Sequence, residues 1–224
     1  MDDRVFLIAG ASTGIGAATA RQAAEAGYRV VLAARSVDKL ETLADETGGL
    51  VVQTDVGDYA QVEALARRTL EQLGRIDVVF ANAGVGHPRG FEAGDPEDAK
   101  QMVITNVFGI YATIRATAAA LRESKGHLVI TSSIAGRRAL KGSLYSATKF
   151  AVTGMAEAAR QDFNGTGVRT TLISPGMVET PGFSHELQDV LTADDIARAV
   201  MFAVAQPPHV DLNEILVRPT AQES

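Results

Sequence analysis

"RVFLIAGASTGIGAATARQAAEAG", Arg4 to Gly27, runs from an unbroken apolar stretch through a glycine-punctuated turn into an alanine-rich amphipathic stretch. The first part is too short and too evenly apolar for a surface helix, and its β-branched and aromatic content suits a strand buried on both faces. The last part has helical periodicity and stops on Gly27, a residue that ends helices. A strand, a glycine turn and a helix in this order form the first half of a strand-helix-strand unit, which places the next strand parallel to the first. The glycines Gly10, Gly14 and Gly16 fall at the junction. There Gly10 permits a tight turn, while Gly14 and Gly16 bring backbone amides and the helix N-terminus towards a phosphate. The spacing, G-x-x-x-G-x-G, differs from the G-x-G-x-x-G dinucleotide fingerprint, and by itself also describes a plain turn.

Outward from this unit the same alternation repeats. "RVVLAAR", "LVVQTDV", "IDVVFANAG", "GHLVITSS", "VRTTLISPG" and "NEILVRPT" read as six further strands. Between them, "SVDKLETLADETGG" opens on Ser36 as an N-cap and closes on Gly48, and "DYAQVEALARRTLEQLG" closes on Gly74. The expected fold is α/β: a Rossmann-type doubly wound sheet of about seven parallel strands with helices on both faces, in one domain over residues 1–224. Proline and glycine collect in "GVGHPRGFEAGDPED" and "SPGMVETPGF", which mark functional loops on one edge of the sheet.

Composition narrows the function. With 224 residues, 46% hydrophobic and 21% charged, the chain has the make-up of a globular domain with a sizeable core. It has no cysteine, so disulfides and thiolate metal sites are excluded and a reducing, cytoplasmic setting is expected. "MDDRVFLIAG" lacks the basic start and apolar length of a signal peptide, and no stretch reads as a membrane span. A net charge of -6 without a basic tract argues against a nucleic-acid partner.

Two side-chain pairs carry chemistry. In "SLYSATKF", Tyr145 and Lys149 stand one helical turn apart among small residues. A cation beside a phenol favours the phenolate and brings a group that ordinarily titrates at about pH 10 towards neutral acid/base work. Tyr145 and Lys149 also suit a core tyrosine beside a solvated lysine. The second strand ends "LAARS", with Ala34 and Arg35 where an acid would receive the ribose hydroxyls of NAD. An arginine fork there suits the 2'-phosphate of NADP(H), with Ser12 and Thr13 as further donors.

These motifs together resemble the short-chain dehydrogenase/reductase superfamily over almost the whole chain. The resemblance is carried by Gly10, Gly14 and Gly16, by Asp55 in "TDV", by Asn82, Ala83 and Gly84, by Asn106 in "TNVFG", by Ser133 in "SSIAG", by Tyr145 and Lys149 in "YSATK", and by "PGMVET". It implies a catalytic set of Asn106, Ser133, Tyr145 and Lys149. It implies a cofactor site made of Gly10, Ser12, Thr13, Gly14, Ile15, Gly16, Arg35, Asp55, Val56, Asn82, Ala83, Gly84, Tyr145, Lys149, Pro175, Gly176, Val178 and Thr180, with no metal. Ser133, rather than the adjacent Ser132, is selected by aligning on Ala135 and Gly136. The chain departs from the family pattern at Ala9 and Ala81, where Thr and Asn are usual, which removes a polar group from the glycine loop.

The implied activity is hydride transfer between NADP(H) and a carbonyl or hydroxyl group of a small molecule. Tyr145 acts as acid/base, Lys149 lowers its pKa and meets the nicotinamide ribose, Ser133 positions the substrate oxygen, and Asn106 holds a water for proton relay. A silent NAD(P)-binding regulator or scaffold of the same fold is the other class of protein these motifs allow. "PPHVDLNEILVRPTAQ" is similar to the branch of 3-hydroxy acid dehydrogenases and aldehyde reductases. A short substrate lid is expected at about 177–191, with Phe183 and Leu187 as anchors. His87, Arg89, Arg137 and Arg138 fall near its mouth as charges for a carboxylate. The resemblance also implies a homo-oligomer, a tetramer or a dimer, joined through the helices that begin near Asn106 and Tyr145.

Overall fold

The structure is a computed structural model, described here for residues 3–179 and 189–222. All seven expected strands form and pair in parallel: β1 (Val5–Ala9), β2 (Arg29–Ala34), β3 (Leu50–Gln53), β4 (Val78–Ala81), β5 (His127–Thr131), β6 (Arg169–Pro175) and β7 (Glu214–Val217). Their spatial order is β3-β2-β1-β4-β5-β6-β7. The helices are α1 (Gly14–Glu25), α2 (Val37–Thr47), α3 (Tyr59–Leu73), α4 (Pro96–Val103), α5 (Gly109–Ser124), α6 (Leu144–Asp162) and α7 (Ala193–Val204).

Strand period 2 divides the core. Val5 and Leu7 of β1, Val79 of β4 and Leu128 and Ile130 of β5 point to one face, where α3, α5 and α6 cover them with Leu65, Leu121 and Val152. The intervening Phe6, Ile8, Phe80 and Val129 point to the other, against Leu40 of α2 and Ile196 and Val200 of α7, with the alanines of α1 between. The interior strands read as continuous apolar runs because both faces are covered, whereas edge strands β3 and β7 are partly exposed. Strand order reverses between β1 and β4. In doubly wound sheets such a switch point is where a crevice opens, at the carboxyl ends of the strands.

Caps follow the sequence signals with one difference. Gly48 and Gly74 take left-handed C-cap conformations, and Asp58 accepts the N–H groups of Ala60 and Gln61. Ser36 does sit at the N-cap of α2, but its hydroxyl makes no capping bond. The helical run Pro96–Ser124 is long and apolar enough to cross a membrane by length and composition alone. It is a broken helix packed on the sheet, and Met102, Ile110, Ala112, Ala120 and Leu121 supply its buried side.

Candidate active site

The glycine turn leads out of β1 into α1. Gly10 has φ +87°, and a Cβ there would lie 2.7 Å from the backbone of Ala83 in the segment after β4. A Cβ on Gly16 would stand 2.0 Å from the Gly10 carbonyl oxygen. Glycine at 16 is therefore required for closure of the turn on itself, a reason that adds to the expected approach of backbone amides to a phosphate. Gly14 has φ +54° at the start of α1. Thr13 is the N-cap, yet its side chain makes no capping bond, and the first turn carries no acid. Open amides at a helix N-terminus without a nearby carboxylate fit an anion.

The missing polar groups at Ala9 and Ala81 are compensated from the neighbouring strand. Asn82 donates from Nδ2 to the Gly10 carbonyl at 3.1 Å, and the Thr131 hydroxyl donates to Asn82 Oδ1 at 2.9 Å. The ends of β1, β4 and β5 are thus tied by one polar chain. Arg35 projects exposed beyond β2, and no ion pair engages its guanidinium among the described residues. Asp55 follows β3 and accepts the Gly57 N–H at 2.9 Å, and the adjacent Val56 is buried.

The four expected catalytic residues converge at the carboxyl ends of β4 and β5. Asn106 lies in a π-helical turn, Ile104–Phe108, between α4 and α5. Such turns mark functional positions in helices. Its side chain is buried and committed: Oδ1 accepts the Val85 N–H at 2.8 Å, while Nδ2 donates to Val85 O at 2.9 Å and to Thr148 Oγ1 at 3.2 Å. Lys149 on α6 is also buried, and its Nζ donates to Thr131 O at 2.9 Å. Gly84 separates these two side chains. A Cβ there would approach Asn106 Oδ1 to 3.4 Å and Lys149 Nζ to 3.7 Å. Lys149 Nζ stands 5.6 Å from the centre of the Tyr145 ring.

The two adjacent serines part company after β5. Ser132 is buried, donates to the Lys149 carbonyl at 3.2 Å and shares a hydrogen bond with Thr153, so it ties β5 to α6. Ser133 faces the crevice, where its hydroxyl accepts the Ala135 N–H at 3.1 Å and hydrogen-bonds the Tyr145 side chain.

Electrostatics in this pocket differ from the sequence expectation. Burial pushes the Tyr145 phenol above its ordinary value, and the Ser133 hydrogen bond only partly opposes that rise. Burial lowers Lys149 to about 8. Burial is the leading influence on both groups, so in the chain by itself the phenol is raised rather than lowered. At neutral pH Tyr145 keeps its proton and Lys149 is still mostly charged.

Other expected site residues fall as follows. Pro175 ends β6, and Gly176 donates its N–H to Val217 O at 2.7 Å. Val178 is buried and forms a parallel bridge with Leu191, closing the neck of the expected lid. Thr180, Phe183 and Leu187 lie outside the described residues. Arg137 is not available to a substrate, because its guanidinium is bound bidentately by Glu214 on β7, which also accepts the Ser174 hydroxyl at 2.7 Å. The His87 ring spans Pro88 O and Asp95 O within its own loop. Arg89 and Arg138 are exposed. Thr131 and Thr148, which orient Lys149, Asn82 and Asn106, were not singled out from sequence. Thr131 carried a signal, since it is a polar residue following the apolar run Leu128–Ile130 at the carboxyl end of the strand, the ligand-binding edge.

A family model for short chain dehydrogenases matches residues 4–191. An uncharacterized oxidoreductase of Staphylococcus haemolyticus is 38% identical over 229 residues, covering 98% of both chains. Among solved structures, an alcohol dehydrogenase from the archaeon Thermococcus sibiricus, complexed with 5-hydroxy-NADP, superposes with a TM-score of 0.89 at 33% identity. That match covers 99% of this chain and 98% of the other. The closed form of a serine dehydrogenase complexed with NADP+ gives a TM-score of 0.93 at 29% identity, over 98% and 96% of the two chains. With its turn, its π-helical asparagine and its tyrosine-lysine pair drawn to one crevice, the chain belongs to the short-chain dehydrogenase family and is an oxidoreductase.

Proposed function

We propose that this chain interconverts a hydroxyl and a carbonyl on a small molecule with NADP(H), at the crevice where Tyr145, Ser133, Lys149 and Asn106 meet. The observation that carries the reading is the position of Gly84, in contact range of both Asn106 and Lys149 and one strand end away from the glycine turn. That arrangement joins a nucleotide cradle to an acid/base group. When bound, the nicotinamide supplies the redox chemistry. The protein's part is positioning and proton handling. Tyr145 Oη delivers its proton to a carbonyl oxygen, and Ser133 shares the developing charge on that oxygen. Lys149, fixed by Thr131, meets the ribose and stabilises the phenolate left behind. Asn106 spends both amide hydrogens on Val85 and Thr148, so its part in a proton relay falls to the main chain of the π turn and a water held there. Consumption of NADPH by the purified protein, followed by absorbance over a panel of aldehydes, ketones and hydroxy acids, tests the reading. No turnover with any of them would overturn it.

Cofactor choice rests on Arg35 with Ser12 and Thr13, and both NADP complexes named above are consistent with it. A charge-assisted hydrogen bond contributes roughly 1.5–3 kcal/mol, about one to two powers of ten in affinity. Arg35→Ala is expected to weaken NADPH binding by that factor and NADH binding little. Ala34→Asp added to it turns preference towards NADH by repulsion. Calorimetric titration with both cofactors checks this, and equal wild-type affinity for the two would refute the role of Arg35.

The molecule is read as a tetramer in the cytoplasm. Phe108, Tyr111 and Phe150 remain 40%, 46% and 45% exposed beside the helices that the family resemblance assigns to pairing. Large apolar groups on neighbouring helices favour burial against a second copy. Light scattering at assay concentration is expected to give four chains, and a fully active monomer would contradict the assembly.

A further inference from the structure

After β7 the chain turns back onto the far end of β6. The Gln222 N–H donates to Pro219 O at 3.0 Å, closing a turn that aims the side chain inward. Gln222 is 9% exposed, and its Oε1 accepts the Met177 N–H at 2.9 Å across 45 residues of sequence. Space there is fully used: a Cβ on Gly176 would stand 2.3 Å from Gln222 Oε1, 3.1 Å from Pro219 Cδ and 3.3 Å from Arg218 Cα. On the other side of the same segment, Glu179 N–H donates to Leu191 O at 2.8 Å and Leu191 N–H to Met177 O at 3.0 Å. Met177 therefore gives its carbonyl to the neck of the lid and its N–H to one side chain. Strand pairing ends at Pro175↔Val217, and beyond it the backbone is held by the Gly176 N–H to Val217 O, by the bonds to Leu191, and at the Met177 N–H by that side-chain oxygen.

We propose that Gln222 is a positioning residue for the segment Pro175–Glu179, holding its backbone in the path that retains NADP(H). The proposal rests on the reading that Pro175, Gly176 and Val178 meet the cofactor. It places a determinant of cofactor retention outside the glycine turn and the catalytic motifs, at the end of the tail "PPHVDLNEILVRPTAQ". A buried N–H that loses its acceptor must find another or move towards water, and the segment shifts with it.

The test uses Gln222→Ala and Gln222→Glu in the full chain, with NADPH calorimetry and amide hydrogen exchange measured by mass spectrometry. Gln222→Ala is expected to weaken NADPH binding about tenfold, the usual scale for one lost acceptor, and to speed exchange in peptides covering 175–179. Exchange in β1 and β5 stays unchanged. Gln222→Glu offers a carboxylate oxygen to the same N–H and restores both readouts. Wild-type affinity and wild-type exchange in Gln222→Ala would overturn the proposal. So would accelerated exchange throughout β1 and β5, which would make the bond a general structural tie. If the wild-type chain binds no NADPH, the cofactor reading has failed, and the exchange arm alone still decides whether Gln222 sets the segment.

Discussion

Tyr145→Phe is expected to lower kcat by about 100- to 10,000-fold, the range that a positioned general acid/base supplies, while NADPH affinity stays within about twofold. The ring is retained, so packing on α6 and the 5.6 Å spacing to Lys149 Nζ survive. What disappears is the transferable proton and the hydrogen bond with Ser133. Because burial raises the phenol above its ordinary value, wild-type Tyr145 enters carbonyl reduction protonated, and reduction should hold its rate from neutral towards mildly acidic pH. The reverse oxidation needs the phenolate and should accelerate as pH rises. Initial rates in both directions across pH, for wild type and variant, check the assignment. A variant with more than about half the wild-type rate would remove Tyr145 from the proton path.

The second large effect concerns stability and lies at the opposite end of the sheet. His127 starts β5, is 1% exposed, and hydrogen-bonds Thr171 through Nε2 at 2.7 Å, while Nδ1 is buried with no partner. On the β6 side its register partner is Arg169, whose guanidinium is held by the carbonyls of Ala203, Val204 and Gln206. On the β4 side the nearest charged residue is Asp77, whose carboxylate is occupied by Arg75 and the Val5 N–H. Protonation would place a new N–H and a positive charge in a dry site that lacks an acceptor and faces a cation. Desolvation, with Arg169 adding to it, accordingly lowers His127 to about 3.

The folded pKa lies below the unfolded one, so this contribution is fully present above about pH 6.5 and is lost as pH falls towards 3. The loss amounts to about 2 kcal/mol between pH 7 and pH 5, and to about 5 kcal/mol once pH is below the folded pKa. His127→Gln keeps a polar partner for Thr171 and cannot titrate. Urea unfolding of both proteins at pH 7 and pH 5 is expected to show the wild type losing about 2 kcal/mol more than the variant. The carboxylates with lowered values, Glu46, Asp58, Glu157 and Asp195, are the same in both proteins and cancel in the comparison. Equal losses in the two proteins would mean that His127 titrates like an exposed histidine.

Much of the molecule was legible from local pattern. Strand identity followed from apolar runs such as Val5–Ala9, because a strand buried on both faces has nowhere to place a polar side chain. Helix limits followed from Gly48 and Gly74, because left-handed φ at a C-cap is inexpensive only for residues like glycine. Tyr145 and Lys149 were legible because helical spacing alone puts residues four apart on one side, whereas Asn106 came through the family resemblance of "TNVFG" and its π turn only through the fold.

What these properties share is range: each is decided within a turn of helix or a few strand residues. The remainder depended on groups far apart in sequence. Ser132 and Ser133 were told apart in sequence only by aligning on Ala135 and Gly136, and the physical difference comes from the packing of β5 on α6, which sends Ser132 to Thr153 and leaves Ser133 to Tyr145. Arg137 reads as a free cation until Glu214, 77 residues later, occupies it. Gly16 reads as room for a ligand, and only the fold shows that the Gly10 carbonyl excludes a side chain there as well. The direction of the Tyr145 shift was also beyond sequence, since spacing reveals the nearby cation but not the burial that raises the phenol. Sequence by itself determined the order of strands and helices and the kinds of side chain at the crevice. The tertiary structure alone decided which of those groups are buried, already paired or free to act, because desolvation and hydrogen bonding depend on everything packed around an atom and not on its neighbours along the chain.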